Sequence, residues 1–443
     1  MDPQAIEQLL TTLHNALRLE GPLDVNQPAD AALYVEGLHG PRDAVSSLRR
    51  DIVRTFGGGV FLFTGQAGSG KSTELHRLRR DLLATGSAKV YYCDLMEWLN
   101  LNEPITLSSF LVALLSAWVD QLGVVTGQRT PAERLVSFFT KTRLIPESLK
   151  LDAGIALKGQ IQFALQTDVD FRAELEKNLR SQANSIVQQA HSLVAELKLE
   201  LCPNNELCVL MADSIEKVAG YGKDAAQVYE SVLRLFVSDG SALRLPGLHV
   251  VYSVPSYLLQ QNNQLPALLG TGGFVTMPSV HVFQRNSVAR DDDGVAAVVG
   301  LVARRFPRWN EVFTRPQLER LALETGGDLR ELLRAIRVAI NEDIPTLPVS
   351  DAVVEFALDN ISPPRAIPAE HLVWMAKLDT SHESELSSDI DGLLLQRYLT
   401  TKHVLVYLNG TPWYAVHPML RQWVQARAER LVAEASVTPA PSA

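Results

Sequence analysis

Cysteine is scarce in this 443-residue chain, and basic residues do not dominate it. The three cysteines, Cys93, Cys202 and Cys208, are too few and too scattered for a disulfide framework or a zinc site. We therefore expect reduced, buried thiols. The 50 acidic residues outnumber the 41 Lys and Arg residues, which argues against coating of nucleic acid or anionic membrane by bulk charge.

Long hydrophobic runs are also missing. The most apolar segment, Phe110–Val119, is stopped by Asp120 and covers about ten residues, whereas a membrane span needs roughly twenty. It predicts a core helix. The N-terminus opens with an acidic residue and lacks the basic start and apolar stretch of a secretory leader. These absences predict a cytoplasmic protein with no membrane segment.

The composition, 46% hydrophobic and 21% charged, is that of a globular protein long enough for several domains. Continuous apolar runs bounded by turn signals predict strands buried on both faces of a sheet. The five runs are Val60–Thr64, Val90–Asp94, Cys208–Asp213, His249–Val254 and Phe274–Met277. Helical patterns alternate with them at Leu75–Leu83, Phe110–Leu122 and Val228–Phe236. This alternation predicts an α/β fold with a mostly parallel, doubly wound sheet.

We assign residues 31–285 to this core and residues 1–30 to an N-terminal arm. An insertion at about 102–207 is too long for a plain crossover. Within it, apolar and polar residues alternate over 155–166, which predicts a half-buried strand or hairpin. The three-four spacing over 171–200 predicts a long helix, either a coiled-coil arm or a helix packed on its own sheet.

Beyond residue 285 the pattern becomes helical. Four helical segments predict a lid over 286–361: Gly294–Arg305, Arg315–Glu324, Asp328–Asn341 and Val349–Leu358. Residues 362–431 predict a winged helix, with helices at Glu383–Tyr398 and Leu420–Leu431 and a hairpin of Val404–Leu408 and Trp413–Val416 around Asn409-Gly410. The low complexity of 432–443 predicts a disordered tail.

The strongest motif is a complete G-x-x-x-x-G-K-[ST] pattern after the first strand. It comprises Gly65, Gln66, Ala67, Gly68, Ser69, Gly70, Lys71 and Ser72, with Thr73 next in the following helix. Glycines let backbone amides surround phosphate oxygens, and the helix adds its positive N-terminal end. Lys71 is predicted to contact the β- and γ-phosphates, and the Ser72 hydroxyl to bind Mg²⁺. The pattern predicts a nucleotide-binding P-loop.

Four residues outside the loop are candidates for the same chemistry. Asp213 ends a buried strand and is predicted to be the second Mg²⁺ ligand. Glu216 either polarises the attacking water or is a solvated surface acid. Ser253 either contacts the γ-phosphate or bonds the backbone. Arg330, at the start of a lid helix capped by Asp328, either contacts phosphate in one nucleotide state or pairs with surface acids.

These features together resemble the STAND signalling ATPases, which are relatives of the AAA+ and origin-recognition ATPases. The resemblance rests on the P-loop, Asp213 with an acid three residues later, Gly326-Gly327-Asp328-Leu329-Arg330 and the winged helix, and it spans roughly Tyr34 to Arg427. Tyr92-Cys93-Asp94 and Leu99-Asn100-Leu101-Asn102-Glu103-Pro104-Ile105 look like a little-characterised bacterial ATPase group within it.

The resemblance implies a P-loop NTPase sheet with a family-specific insertion, a helical lid and a winged helix. It also implies a switch that is closed with ADP at rest and assembles with ATP when triggered. A histidine of the winged helix contacts the ADP phosphates in that family, and His417 is at the matching place, although it could equally be a packed histidine. No arginine lies between Pro255 and His281, which puts a finger acting on a neighbour's ATP in doubt.

Three functions follow as hypotheses. The first is a slow ATPase switch that forms a homo-oligomer or controls a separate effector protein in bacterial antiviral defence. The second is a DNA-acting ATPase, a loader or transcription regulator. It is less favoured because residues 361–443 hold seven Lys and Arg against eight Asp and Glu, and a DNA-binding wing normally has a basic face. The third is a scaffold that binds nucleotide without hydrolysing it.

Overall fold

The computed structural model describes residues 2–19, 21–40, 43–122, 129–146, 149–151, 153–154, 156–220, 225–258, 265–270, 274–383, 392–408 and 411–437. Its contacts divide the chain into two compact units. We name Met1–Asp43, Gly65–Thr73 and Met277–Ala443 the P-loop unit, and Ala44–Thr64 and Glu74–Thr276 the sheet unit.

All five predicted strands are confirmed, and they form one sheet. They are β1 (Gly59–Gly65), β2 (Ala88–Asp94), β3 (Leu207–Asp213), β4 (His249–Val254) and β5 (Phe274–Met277), in the order β2-β3-β4-β1-β5. The pairs β2–β3, β3–β4 and β4–β1 are parallel, with Asp94 opposite Asp213 and Phe63 opposite Ser253. The carboxyl ends of these strands therefore share one edge of the sheet.

The sheet unit also contains many helical residues. Its helices are α3 (Ala44–Arg54), α4 (Lys71–Leu83, which begins in the P-loop unit), α5 (Leu107–Asp120), α6 (Pro131–Thr142), α7 (Leu157–Thr167), α8 (Val169–Leu201), α9 (Ala225–Val237) and α10 (Leu265–Leu269). Every residue of α5 from Ser108 to Val119 is buried, so the most apolar segment of the chain is a core helix, as predicted.

The predicted strand or hairpin at 155–166 is wrong, because this segment forms α7. Its buried residues Leu157, Ile161, Ala164 and Leu165 follow helical spacing, whereas Phe163 is 69% exposed. The long helix is confirmed as α8, with a non-helical residue at Gln182 (φ −144°, ψ 31°). The buried stripe of α8 packs on α5, α6 and α7, which supports packing within its own unit over a free coiled-coil arm.

The P-loop unit contains the segment predicted to be a lid, residues 286–361, together with the N-terminal residues. Its helices are α1 (Pro3–Leu17), α2 (Pro28–Ala31), α11 (Asp292–Arg305), α12 (Trp309–Val312), α13 (Arg315–Glu324), α14 (Leu329–Ile340) and α15 (Asp351–Ile361). The four predicted lid helices are confirmed. The N-terminal arm is part of the same core, because the apolar face of α1, from Ile6 to Leu17, is buried among the lid side chains.

The winged-helix segment consists of α16 (Ala369–Ser381), α17 (Gly392–Thr400), β6 (Val404–Tyr407), β7 (Trp413–Val416) and α18 (Pro418–Val437). The predicted hairpin is confirmed as an antiparallel pair in which Val404 lies opposite Val416. Its predicted Asn409-Gly410 turn and the first part of the predicted helix at Glu383–Tyr398 lie outside the described residues. The last helix continues to Val437, into the segment predicted to be a tail.

In the part of the chain that the structure describes, each helix is too short or too polar to span a bilayer.

Candidate active site

The P-loop is a buried backbone turn in the P-loop unit. Gly68 (φ +89°) and Gly70 (φ +92°) adopt backbone conformations that favour glycine. Lys71 is only 4% exposed, and its ammonium donates to the carbonyl oxygens of Gly65 and Gln66, each at 3.0 Å. The Lys71 ammonium therefore lies beside the loop backbone, which the motif predicts to bind phosphate.

Two neighbouring segments of the same unit support the loop. The Ser279 hydroxyl donates to Gln66 Oε1 at 3.3 Å, just beyond the end of β5. On the other side, the Leu23 amide donates to Thr73 Oγ1 at 3.1 Å, and Leu23 itself is buried. Residues between α1 and α2 thus pack beside the first turn of α4.

The start of α14 lies directly against the loop. Asp328 caps this helix by accepting the amides of Arg330 and Glu331, each at 3.0 Å, as predicted for an N-cap. A Cβ atom on Gly68 would lie 2.4 and 2.5 Å from the two carboxylate oxygens of Asp328. Glycine at position 68 therefore provides the space that the Asp328 carboxylate occupies.

The winged-helix segment contacts this same helix start. Lys402 Nζ lies 2.6 Å from Asp328 Oδ2 and 3.0 Å from Glu331 Oε1. The fully buried His417 places Nε2 3.1 Å from Glu331 Oε2. Tyr407 Oη donates to the Gly326 carbonyl at 3.0 Å. Three winged-helix side chains thus hold the first turn of α14 and the glycine turn before it.

The electrostatics of this cluster favour the charged form of Glu331. Burial alone would raise its pKa, but the His417 hydrogen bond and the Lys402 ammonium outweigh burial and lower the pKa to about 2. Burial disfavours the Lys402 charge as well, yet the carboxylates of Asp328 and Glu331 raise its pKa overall. The buried Lys402 ammonium therefore forms ion pairs with two carboxylates, those of Asp328 and Glu331.

His417 is buried, whereas Arg330 is exposed. His417 contacts Glu331, and among the described residues its Nδ1 atom is buried with no hydrogen-bond partner. The Arg330 side chain is exposed on α14. The phosphate contacts predicted for these two residues stay predictions.

In the sheet unit, Asp213 ends β3 and is fully buried. Its Oδ2 atom accepts a hydrogen bond from the Tyr92 hydroxyl at 2.6 Å. Burial, with a further contribution from Asp213, raises the pKa of Tyr92 strongly, so this hydroxyl remains a donor. The Oδ1 atom has no hydrogen-bond partner in the described part of the chain. A buried carboxylate oxygen with spare acceptor capacity fits the oxygen ligands that Mg²⁺ prefers.

The predicted residues Glu216 and Ser253 are brought together. Ser253, in β4, donates its hydroxyl to Glu216 Oε2 at 2.5 Å. Glu216 belongs to a 3₁₀ turn, Ile215–Lys217, that begins after Ser214, which has a left-handed φ of +77°. A non-glycine residue at such a φ is strained, and strained residues cluster at functional sites. Lys217 Nζ donates to Ser214 Oγ at 2.7 Å and braces the turn.

Each unit therefore assembles part of the predicted site. The P-loop unit contains the loop, Asp328, Arg330 and His417, and the sheet unit contains Asp213, Glu216 and Ser253. Sequence reasoning missed Tyr92, Glu331 and Lys402 as site residues. Only Tyr92 had a local signal, because it lies two residues before the end of a strand beside β3. No group of three His, Cys, Asp or Glu suited to a metal occurs among the described residues.

Comparison with known proteins gives distant structural similarity only. No protein-family model matches the chain, and none of the curated proteins does. The Aeropyrum pernix ORC2 protein, solved as ADPNP-ADP complexes, is 12% identical over 89% of this chain and 94% of its own, with a TM-score of 0.41. Cdc6p from Pyrobaculum aerophilum is also 12% identical over 92% of this chain and 98% of its own, at 0.39.

The Aeropyrum pernix ORC1 protein in complex with DNA is 11% identical over 92% of this chain and 97% of its own, with a TM-score of 0.35. TM-scores this low carry no argument about the present chain. Its function is therefore inferred from its own residues.

Proposed function

We propose that this chain is an ATP-binding, slowly hydrolysing switch of the P-loop ATPase class. The observation that carries the proposal is the complete P-loop sequence directly after β1, in a sheet whose next two strands carry Ser253 and Asp213 at the same carboxyl edge. Nucleotides bind at the carboxyl edge of open α/β sheets, and phosphoryl transfer needs a phosphate cradle with an acid for the metal.

Each residue of the predicted site has its own proposed role in binding or hydrolysis. The backbone amides of the P-loop and Lys71 bind the β- and γ-phosphates, and Ser72 with Asp213 would hold Mg²⁺. Bound Mg²⁺ would neutralise charge on the phosphate oxygens. Tyr92 fixes the orientation of Asp213 through its 2.6 Å hydrogen bond. Glu216 orients and polarises the attacking water, and Ser253 holds the Glu216 carboxylate in place.

The switching part of the proposal concerns the start of α14. Asp328 contacts the P-loop and is paired with Lys402, while His417 contacts Glu331 one turn further along. Phosphate charge at the loop would alter this set of buried charges. We propose that His417 responds to bound ADP through Glu331 and that Arg330 contacts phosphate in the ATP state. The controlled partner would be a further copy or an effector protein, in the cytoplasm and in antiviral defence.

The test compares wild type with Lys71→Ala and Glu216→Gln. Binding of fluorescent ADP and ATP, phosphate release and mass by light scattering are measured in ADP and in a non-hydrolysable ATP analogue with Mg²⁺. We expect Lys71→Ala to abolish binding, and Glu216→Gln to bind ATP while turnover falls at least about a hundredfold. Lys377→Ala is the control, at an exposed lysine of the P-loop unit, and it should behave as wild type.

Three outcomes would contradict the proposal or a part of it. Failure of wild type to bind either nucleotide would remove the site itself. Unchanged turnover in Glu216→Gln would remove Glu216 from the mechanism, and binding without turnover would favour the scaffold. The winged helix motivates a DNA-acting alternative, which a duplex-DNA titration tests in both nucleotides. Nucleotide-dependent DNA binding with a steep salt dependence would favour that alternative.

A further inference from the structure

One phenylalanine of the sheet unit, Phe56, is fully exposed. Phe56 follows α3 and is 101% exposed, and Val53 in the last turn of α3 is 51% exposed. The turn that carries Phe56 is fixed by the next residues, since a Cβ on Gly58 would lie 2.7 Å from the Leu248 carbonyl oxygen. The Gly59 amide donates to that same oxygen at 3.1 Å. Phe56 is thus an aromatic side chain on a supported turn.

A cavity of about 390 Å³ lies elsewhere in the same unit. Its apolar lining comes from Met96, Leu99 and Leu101, and its polar lining includes the amides of Asn100 and Asn102. The cavity is therefore built mainly by the Leu-Asn-Leu-Asn segment, to which the proposed chemistry assigns no role. A volume of this size is within the range of ligand pockets and exceeds one aromatic side chain.

Two exposed apolar side chains belong to the lining of this cavity or to the helix that contributes to it. Met96 is 49% exposed, and Phe163 is 69% exposed on α7. Gln166, which lines the cavity, is three residues from Phe163 and therefore its neighbour on the helix surface. Gln166 Nε2 donates to the Glu97 carbonyl at 2.8 Å, which joins α7 to the segment after β2. Apolar patches with polar surroundings are typical of protein interaction sites.

The aromatic and the cavity lie at opposite edges of one sheet. Phe56 precedes the amino end of β1, whereas the cavity residues follow the carboxyl end of β2 and Lys217 follows the carboxyl end of β3. A chain cannot place this Phe56 in its own cavity without losing the sheet. Complementary features on different faces of one molecule produce head-to-tail contacts between copies.

Exposed charges near the two surfaces have opposite signs. Arg50 and Arg54 are exposed on α3 beside the aromatic, and the exposed Asp51 offsets one of these two charges. On the cavity side, Glu97 is 57% exposed, and Asp168 and Asp170 are exposed at the start of α8, just after Gln166. Lys158, which lies 3.4 Å from Glu97, and Lys217, which lines the cavity, offset part of this charge. The acids still predominate, and complementary potentials favour association of the two faces.

We propose that Phe56 of one copy enters the Leu99–Leu101 cavity of a second copy, head to tail. This inference deepens the proposed function by naming the surface through which the switch would assemble. Lys217 lines the cavity and belongs to the same 3₁₀ turn as Glu216. Occupation of the cavity would therefore affect the 3₁₀ turn that contains Glu216, the acid proposed to polarise the attacking water.

The experiment uses the full chain and two single variants with different defects. Phe56→Asp removes the aromatic and leaves the cavity, whereas Asn102→Trp fills the cavity and leaves the aromatic. Sedimentation is measured in ADP and in the ATP analogue. We expect each variant alone to lose self-association by about thirtyfold or more, which is typical for loss of an aromatic anchor. An equimolar mixture should form dimers that grow no further, because one intact contact remains.

Leu199→Asp, at a residue that is 66% exposed on α8, is the matched control and should assemble as wild type. ATP-analogue binding is measured for every variant, so loss of assembly is distinguished from loss of the nucleotide site. A photo-crosslinking amino acid at position 56 should attach to the peptide containing residues 95–102 of the other copy. Wild-type assembly by Phe56→Asp, a mixture that stays monomeric, a crosslink elsewhere, or a wild type that is monomeric in both nucleotides would overturn the inference.

Discussion

Lys402 Nζ lies 2.6 Å from Asp328 Oδ2, and this ion pair connects the winged helix to the P-loop within one unit. The Lys402 side chain is 15% exposed and that of Asp328 only 3%. Asp328 has two further roles, since it caps α14 and occupies the space beside Gly68. A change in any one of these contacts must therefore affect the other two.

Replacing Lys402 with Met should destabilise the P-loop unit. The variant leaves the buried Asp328 carboxylate without its cation and Glu331 with His417 alone, and removal of one partner from a buried pair costs about 3 kcal/mol or more. The measurement is urea unfolding at pH 7, monitored by a spectroscopic probe in the winged helix. Lys377→Met, at an exposed position of α16, should leave the midpoint unchanged. Equal midpoints for the two variants would show that the pair contributes little.

The lowered pKa of Glu331 predicts acid sensitivity. Its carboxylate titrates at about 2 in the folded chain against a reference value of 4.5. The folded state therefore binds fewer protons, so the contribution to stability is complete above the reference value and is lost as the pH falls toward 2. About 2 kcal/mol should disappear between pH 6 and pH 3. Unfolding free energies of wild type and Glu331→Gln across this range test it, since the variant should lack that part of the slope.

Much of the sheet could be predicted because its signals are local. Each strand is a continuous apolar run between turn residues, and the P-loop motif fixes the residues after β1. The strand or hairpin predicted for 155–166 is wrong because a short apolar pattern can fit two periods. Ile155, Leu157, Ile161, Phe163 and Leu165 suggested alternation, but the helix buries Leu157, Ile161 and Leu165 and leaves Phe163 exposed.

Other elements had no usable sequence signal. Helix α16 buries Leu372, Trp374, Met375 and Leu378, but the sequence shows a continuous apolar run over 372–376, which does not distinguish a helix from a strand. The contacts of Lys402 with Asp328 and Glu331 join residues more than seventy positions apart. Such pairs are created by tertiary packing, and an isolated lysine after a helix does not indicate them.

Ser253 offers a direct test of the catalytic role that we propose for Glu216. Ser253→Ala removes the hydroxyl that donates to Glu216 at 2.5 Å, so the carboxylate loses its fixed orientation. We expect kcat to fall about tenfold or more with little change in the KM for ATP, because the hydroxyl acts through Glu216. Ser253→Thr should retain most of the activity. Combining Ser253→Ala with Glu216→Gln should add no further loss, whereas additive losses would assign Ser253 a separate role.

Gly68→Ala tests the contact between the P-loop and Asp328 at the start of α14. Two effects add at this position. Alanine is strained at φ +89°, and its Cβ would lie 2.4 Å from an Asp328 carboxylate oxygen. Gly86→Ala is the matched control, because Gly86 also has a positive φ (+70°) but nothing within 4 Å of an added Cβ. Both variants should lose roughly 1 kcal/mol to backbone strain, and Gly68→Ala should lose about 2 kcal/mol more through the steric clash.

The clash itself can be relieved on the Asp328 side. Asp328→Ser keeps a capping hydroxyl on α14 while shortening the side chain, so the Gly68→Ala loss should be smaller in that background than in wild type. Thermal unfolding and ADP binding of the four proteins in this double-mutant cycle give the coupling directly. A coupling near zero would mean that Asp328 does not rest on Gly68 in solution. A coupling above about 1 kcal/mol would confirm that the start of α14 and the P-loop are in contact.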